Sequence, residues 1–382
     1  KELLGEDAFD AYFNDEGDKS KLLFIDQWGD IIWSSMENAF WGCQNMDIGV
    51  SDVPDLSNVT SMRLLFKDCA SLIGDGIVNW DVSTIQDFSN LFDSATIFNQ
   101  DLNDWDVSNV RNMNDVFHTA INFNGNISDW NVSNVIFMSN MFRQAFAFNQ
   151  DVSAWDVSQV SNFSNMFNGA TVFNQDLSGW DLGNAESLSG MFGQAIAFNQ
   201  DIGNWNVSNV TNMGGLFWRA EAFNTDISNW DVSNVTDMIA MFSEASAFDQ
   251  NIGDWDISNV ARMEDMFFNT GLSLENYDSM LSSWAGLSNL QNNVVFNAGD
   301  SRFCESSDER QFIIDTYGWT ITDGGEAPLC NEDNDGDGVL DHKDLCLDTP
   351  SGVSVNPSGC DLIPNDAIQV LVLTPSCTDS SD

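Results

Sequence analysis

Residues 333–344 read D-N-D-G-D-G-V-L-D-H-K-D, with Asp333, Asp335 and Asp337 alternating and Asp341 and Asp344 close behind. Carboxylates at the first, third and fifth positions of a loop turn hard oxygen ligands toward one point. Gly338 at the sixth position permits the sharp turn, the carbonyl of Val339 falls at the seventh, and Asp341 and Asp344 fall at the ninth and twelfth. That is a ligand set for Ca²⁺, which takes many oxygens in a flexible shell. Mg²⁺ demands near-octahedral geometry and retains water, so it fits less well where so many protein oxygens converge. Asp closes the loop where Glu is usual, and the following L-C-L-D-T-P has no helical pattern, so this is not a helix-loop-helix site. The competing reading is an acidic, solvated linker. Calcium here would stiffen a floppy acidic segment.

Other reactive chemistry is sparse. The two histidines are His118, at a variable position, and His342, inside the acidic loop. No serine or cysteine therefore has an evident histidine partner for nucleophilic catalysis. Paired carboxylates abound, but they recur at a fixed period, which explains them without catalysis; the chain reads as non-enzymatic. A formal charge of -47, from 59 acids and 12 bases, opposes docking on nucleic acid or anionic lipid. It suits solubility, divalent cations and a salty extracellular medium. No apolar run is long enough for a membrane-spanning helix, and the start K-E-L-L-G-E-D-A-F lacks a signal-peptide pattern, as in a mature chain or a fragment.

What must position these residues is a repeat. Trp80, Trp105, Trp130, Trp155, Trp180, Trp205, Trp230 and Trp255 are spaced by 25 residues each time. A phenylalanine column runs from Phe40 and Phe66 to Phe267, first at a spacing of 26 and then 25, giving about ten coils. A second phenylalanine column, Phe98 to Phe248, and an alanine column, Ala95 to Ala245, keep the same period. One coil cannot bury its own Trp, Met and Phe, so neighbours must stack into a continuous core. The fold predicted is an α/β repeat solenoid. Val110, Met113, Phe117 and Ala120 have three-or-four spacing and predict a short helix in each coil. The stretch N-Q-D-I-S-x-W-D-V alternates and predicts a short strand.

The polar columns form a substitution series within the chain. Asp81, Asp106, Asp156, Asp181, Asp231 and Asp256 follow Trp, but Asn131 and Asn206 stand in the same column, so charge is dispensable. Asp and Asn share an oxygen that closes a turn on backbone N–H groups. The column Asn99, Asn124, Asn149, Asn174, Asn199 and Asn224, broken only by Asp249, predicts a ladder of buried amides bonded to backbone between coils. In the column containing Asp101, Asp151, Asp176, Asp201 and Asp226, stacked carboxylates ~5 Å apart repel. They require a hydrated face or, alternatively, calcium between coils.

Eight aligned tryptophans could stack sugars, but an aromatic fixed at one phase reads as core. Variation concentrates after the Phe column, at Lys67, His118, Arg143, Asn168, Gly193, Trp218 and Ser243. These side chains are expected to face solvent. Trp218 is the odd aromatic, so any ligand surface should include Trp218, Arg219, Arg143 and His118.

Residues 1–35, with Phe9, Tyr12, Phe13, Leu22, Leu23, Phe24, Ile25 and Trp28 out of period, read as an N-terminal cap; the repeat occupies 36–270 and a C-terminal cap 271–325. In that cap, Ser306 and Glu309 form a capping-box pattern ahead of a helix, and G-W-T-I-T-D-G-G reads as strand and turn. Cys43 and Cys69 each lie three residues after the Phe column; stacked Cα atoms ~5 Å apart predict a disulfide. Cys304 and Cys330 bracket the C-terminal cap as a staple, Cys346 and Cys360 close a small loop, and Cys377 is left over.

W-N-V-S-N-V-T-N-M together with M-F-x-x-A-x-x-F-N-Q-D-I resembles the BspA-like family of bacterial surface repeats, relatives of leucine-rich repeats, over roughly residues 36–325. Residues 333–360 resemble a thrombospondin type 3 repeat, within a segment spanning 326–362; residues 363–382 are left as a linker or the start of a further domain. The first resemblance implies a secreted or bacterial cell-surface protein engaged in adhesion, with other surface proteins or extracellular polymer as partners. The second implies calcium at the Asp positions named. A carbohydrate-binding module that captures polysaccharide is the alternative.

Overall fold

The computed structural model describes residues 13–49, 52–328, 330, 332–341, 343–346, 348, 349, 351–358 and 360. Phe9, Tyr12, His342, Cys377 and the 363–382 segment lie outside them. Two compact units are present, Lys1–Gly325 and Glu326–Asp382.

In the first unit the sequence period becomes a stack of coils. One parallel bridge per coil runs through Ser61, Asp87, Asn112, Phe137, Asn162, Ser187, Asn212, Asp237 and Arg262. Beside each bridge, alternate N–H groups donate to the next coil: Met113 to Phe137, Asp115 to Ser139, Phe117 to Met141 and Thr119 to Arg143. The intervening N–H groups fold back, His118 to the Asp115 carbonyl and Ala120 to the Phe117 carbonyl. The main chain is thus satisfied half within a coil and half between coils.

The helix predicted over Val110–Ala120 is replaced by these overlapping turns. The cause is two left-handed residues per coil, four apart: Asn90 and Ser94, Asp115 and Thr119, Asn140 and Gln144, and so on to Asp265 and Asn269. An L-residue in that conformation interrupts a right-handed helix and redirects its N–H group toward the neighbouring coil. The strand predicted over N-Q-D-I-S-x-W-D-V is also absent. Asp101 Oδ1 accepts from the Asn103 N–H (3.1 Å) and Asp106 Oδ1 from the Ser108 N–H (3.0 Å), so the backbone bends every five residues. Asn131 and Asn206 make the same bond at 3.2 Å, as interchange of Asp and Asn predicts.

The apolar columns fill the interior. Phe92, Phe117, Phe142 and Phe167 stack at 5.6–5.7 Å between ring centroids. Each repeat tryptophan from Trp80 to Trp255 is 4% exposed or less. Beyond the first, each indole Nε1–H donates to a carbonyl 28 residues earlier, as Trp105 does to Ile77 (3.1 Å). These rings are core, each buried against the neighbouring coils.

Trp28 and Trp33 close the N-terminal end edge to face at 5.7 Å, and Trp28 packs likewise on Trp80 at 5.2 Å. Short strands β1 (Phe24–Ile25) and β2 (Asp47–Ile48) pair in parallel there. At the other end α1 (Leu274–Ala285) buries Tyr277, Met280, Leu281 and Trp284. Strand β3 (Val295–Asn297) continues the stack, with Phe296 bridged to Met263 and set edge-on over Phe267 at 6.2 Å. Helix α2 (Ser307–Tyr317) and strand β4 (Thr320–Thr322), paired with β3, follow. The predicted capping box does not form: Ser306 makes no side-chain cap bond, and its Oγ–H donates instead to Asp278 Oδ1 at 2.6 Å.

The expected Cys43–Cys69 disulfide is absent: both are buried free thiols. Cys69 Sγ–H donates to the Phe40 carbonyl at 3.2 Å, so its sulfur is directed at main chain. Burial raises the Cys43 thiol to about 12 and Cys69 well above its ordinary value. Stacking brings two coils into register without fixing which partner a side chain takes. Cys304, Cys330, Cys346 and Cys360 are disulfide-bonded, and the Cys346–Cys360 bridge has its Cα atoms 5.1 Å apart.

Candidate functional site

The acidic loop of the second unit folds around its own carboxylates. Asp333 accepts from the N–H groups of Gly336 (2.8 Å) and Gly338 (3.1 Å); Asp335 accepts from Asp337 (3.1 Å) and Asp337 from Val339 (2.7 Å). Gly336 and Gly338 have φ of 74° and 96°, which lets the chain wind tightly enough for these contacts. Carboxylate oxygens of Asp333, Asp335 and Asp337 converge within 4.8 Å of one another.

Asp344 is 7% exposed, and its Oδ1 accepts from the Cys346 N–H at 2.7 Å. The remaining Oδ2 atoms of Asp335, Asp337 and Asp344 are buried without a hydrogen-bond partner. Burying bare carboxylate oxygens is costly unless a cation compensates them. Burial, with added repulsion from Asp337 and Asp344, raises the Asp335 carboxyl above its ordinary range. These features fit a hard divalent cation. The two Asp341 oxygens accept from the N–H and the side-chain amide of Asn334. Val339 follows the cluster, with its N–H fixing the turn.

The predicted surface residues of the first unit divide between two settings. Arg143 and Trp218 line one groove of about 610 Å³ with Asn168, Gln194, Gly190 and Gly215. His118 belongs instead to an ionic cluster. Asp93, 2% exposed, takes the Lys67 ammonium on Oδ2 and His118 Nδ1 on Oδ1 at 3.0 Å. Burial pushes the Asp93 carboxyl upward, but hydrogen bonds from His118 and Lys67 outweigh it and hold the group below its ordinary range. Arg219 pairs with Glu244 at 3.2 Å, its guanidinium 5.9 Å from the Trp218 ring.

The variable column does not simply face solvent: Asp93, Asn168 and Ser243 are buried, and Lys67, His118, Arg143 and Trp218 are half-buried. Left-handed turns fold these side chains along the stack. The groove floor escaped sequence reasoning. Its signal was the loss of side chains at Gly190, Gly214 and Gly215, where equivalent positions of other coils carry Asn, Asp or Ser and, in the last coils, Ile239, Ala240 and Glu264.

The Phe-Asn ladder forms between coils, with Asn99 Oδ1 accepting from the Asn124 N–H at 2.7 Å and the same bond repeated to Asp249. It is exposed or half-buried rather than buried as predicted, because the amides flank the core at the surface. The Asp101 column also serves backbone turns, including Ser153 N–H to Asp151 at 2.9 Å and Ser178 N–H to Asp176 at 2.8 Å. No helix among the described residues is long and apolar enough to cross a membrane.

Residues 34–136, 102–204 and 186–305 each match a family described as "Mycoplasma protein of unknown function, DUF285". No curated protein matches the chain.

Proposed function

The chain belongs to the DUF285 family, and because that family's description assigns no activity, we propose from its residues a non-enzymatic interaction scaffold displayed at a bacterial surface. One observation carries this reading: the recurring carboxylates and amides are spent on main-chain N–H groups in coil after coil. An acid that closes the same turn as its Asn counterpart has a structural task, so the many carboxylate pairs need no catalytic role. The stack, BspA-like in motif, offers a long side surface for adhesion to surface proteins or extracellular polymer. Abundant acid and disulfide-bonded cysteines support the extracellular setting.

The second unit is read as a thrombospondin type 3-like segment in which calcium organises Asp333, Asp335, Asp337 and Asp344. The bare, buried oxygens on three of these residues support the assignment. Calcium titration of the intact chain by calorimetry tests it, with Asp335→Asn/Asp337→Asn as comparison. The expected result is stoichiometric binding that the double variant abolishes. Equal heats from both proteins would overturn the assignment. Surface display is tested by fractionating the producing cells and probing intact cells with protease; a chain confined to the cytoplasm would overturn it.

A further inference from the structure

The few positive charges of the repeat are not scattered. All six Lys and Arg residues between 36 and 270 are Arg63, Lys67, Arg111, Arg143, Arg219 and Arg262. Each falls at a phase equivalent to residues 111–119 of the 25-residue period, beside the inter-coil bridge; the other phases carry no base. The rest of each coil is acidic or uncharged, so the repeat has one electrostatically distinct face.

On that face the four consecutive windows 136–144, 161–169, 186–194 and 211–219 contain one acid, Glu186. The groove described above opens here. Backbone at Gly190, Gly214 and Gly215 and amides of Asn165, Asn168 and Gln194 line it, and at its far edge Asp237 is neutralised by Arg262 at 2.7 Å. Three coils separate Arg143 from Trp218, about 15 Å at inter-strand spacing. The volume of about 610 Å³ is that of a ligand cleft.

Arg143 makes no ion pair among the described residues, and its Nε is buried without a hydrogen-bond partner. Asp115 lies near enough to feel this guanidinium through space, without pairing with it. In a chain of charge -47, an unpaired, partly buried guanidinium is a donor held available for an external anion. Trp218 at the other end is half-buried, and the equivalent position of the preceding coil is Gly193, which has no side chain to cover the ring.

We propose that this groove binds a short segment of acidic polysaccharide. One pyranose ring packs against Trp218, hydroxyls bond to the amides between, and a uronate carboxylate docks on Arg143. A sugar ring with its linkage is about as long as one coil is thick, so a linear glycan can run along the stack in register. The amide-rich wall suits hydroxyl groups, which donate and accept; Asn168 Nδ2 already bonds to Asn165 Oδ1 and the Gly190 carbonyl, both at 3.2 Å, and these groups keep further acceptor capacity for a hydroxyl. The chain's net charge opposes acidic polymers at long range, and attraction therefore has to come from this local patch. At physiological ionic strength the opposing field reaches about 8 Å. The inference supplies a ligand class for the proposed scaffold but does not depend on its location or calcium binding.

The test uses the full chain in calcium-containing buffer, titrated calorimetrically with uronate tetrasaccharides of several linkages and their neutral hexose counterparts. At least one uronate ligand should bind more tightly than its neutral counterpart. Arg143→Gln should weaken that ligand by about tenfold or more, the loss expected for a charge-assisted bond, and erase the preference. Trp218→Ala should weaken uronate and neutral ligands alike, and Trp218→Tyr should restore part of the loss. Gly214→Gln, which fills the floor while leaving both end residues in place, should abolish binding with little change in thermal midpoint. Absence of binding across the uronate set, equal affinity for neutral sugars, or affinity unaffected by Arg143→Gln would overturn the proposal.

Discussion

Asp156 and Asn131 occupy equivalent places in neighbouring coils and make equivalent bonds, to the N–H groups of Ser158 at 3.1 Å and Ser133 at 3.2 Å. Asp156→Asn should therefore leave urea stability nearly unchanged, whereas Asp156→Ala should cost about 0.5–1.5 kcal/mol, the net worth of one hydrogen bond. The Ser158 side-chain and backbone hydrogen bonds lower the Asp156 carboxyl below its ordinary value. Because the folded value is depressed, its stabilisation is present above the unfolded pKa and is lost as pH falls through the folded value. The Ser158 amide resonance should follow that titration below about pH 4, while Ser133 stays still. Movement of both would show that the pH response is not local. Asp93 presents the same sign in a buried setting. Asp93→Asn should destabilise the chain by about 1–3 kcal/mol at neutral pH, because Lys67 and His118 lose the carboxylate charge and one of its two acceptor oxygens; equilibrium denaturation should show the penalty shrinking in acid. Turn chemistry was legible because the repeats already contained the Asp-to-Asn exchange. The state of Cys43 and Cys69 was not, since register places sulfur atoms near each other without dictating whether they bond.

At the scale of an element, apolar spacing correctly identified which faces pack but not how the backbone between them winds. Overlapping turns return Val110, Met113, Phe117 and Ala120 to one face, as a helix would. The missed signal was the column Asn90, Asp115, Asn140, Asn165, Gly190, Gly215, Ala240 and Asp265, every one of which adopts the left-handed region and all but Ala240 of which are types that tolerate or favour it. In the C-terminal cap the helix and strand expected after Ser306 form as α2 and β4, although the capping box does not, while α1 was not read from the sequence. The cap's joint to the stack depends on Gly299, at φ 64°, where a Cβ would lie 2.2 Å from the Phe267 carbonyl oxygen and 2.3 Å from that of Thr270. Gly299→Ala combines backbone strain with a clash that no rotamer relieves. It should cost about 2–4 kcal/mol and increase hydrogen exchange first in β3 and the coil containing Phe267. Full retention of stability would mean the joint can separate without disturbing the end of the core.

For the whole first unit, continuity of the core matters more than the identity of any single coil. Each coil bonds chiefly to its neighbours, so stability should be a sum of coil and interface contributions. Removing residues 152–201 deletes two full periods and joins Asp151 to Ile202, a residue at the same phase as Val152. That deletion should preserve a cooperative fold and lower the urea m-value by about one-eighth, in proportion to the chain lost. It should also remove the groove, since Asn165, Asn168, Gly190 and Gln194 leave with those coils. Removing residues 152–196 instead joins mismatched phases, places core columns against turn columns, and should leave the protein unfolded or strongly destabilised. If the in-phase deletion unfolds while the out-of-phase one survives, stability does not propagate through phase-matched neighbouring coils. If both fold, the columns tolerate slippage, and the tryptophan and phenylalanine stacks are not what sets the register.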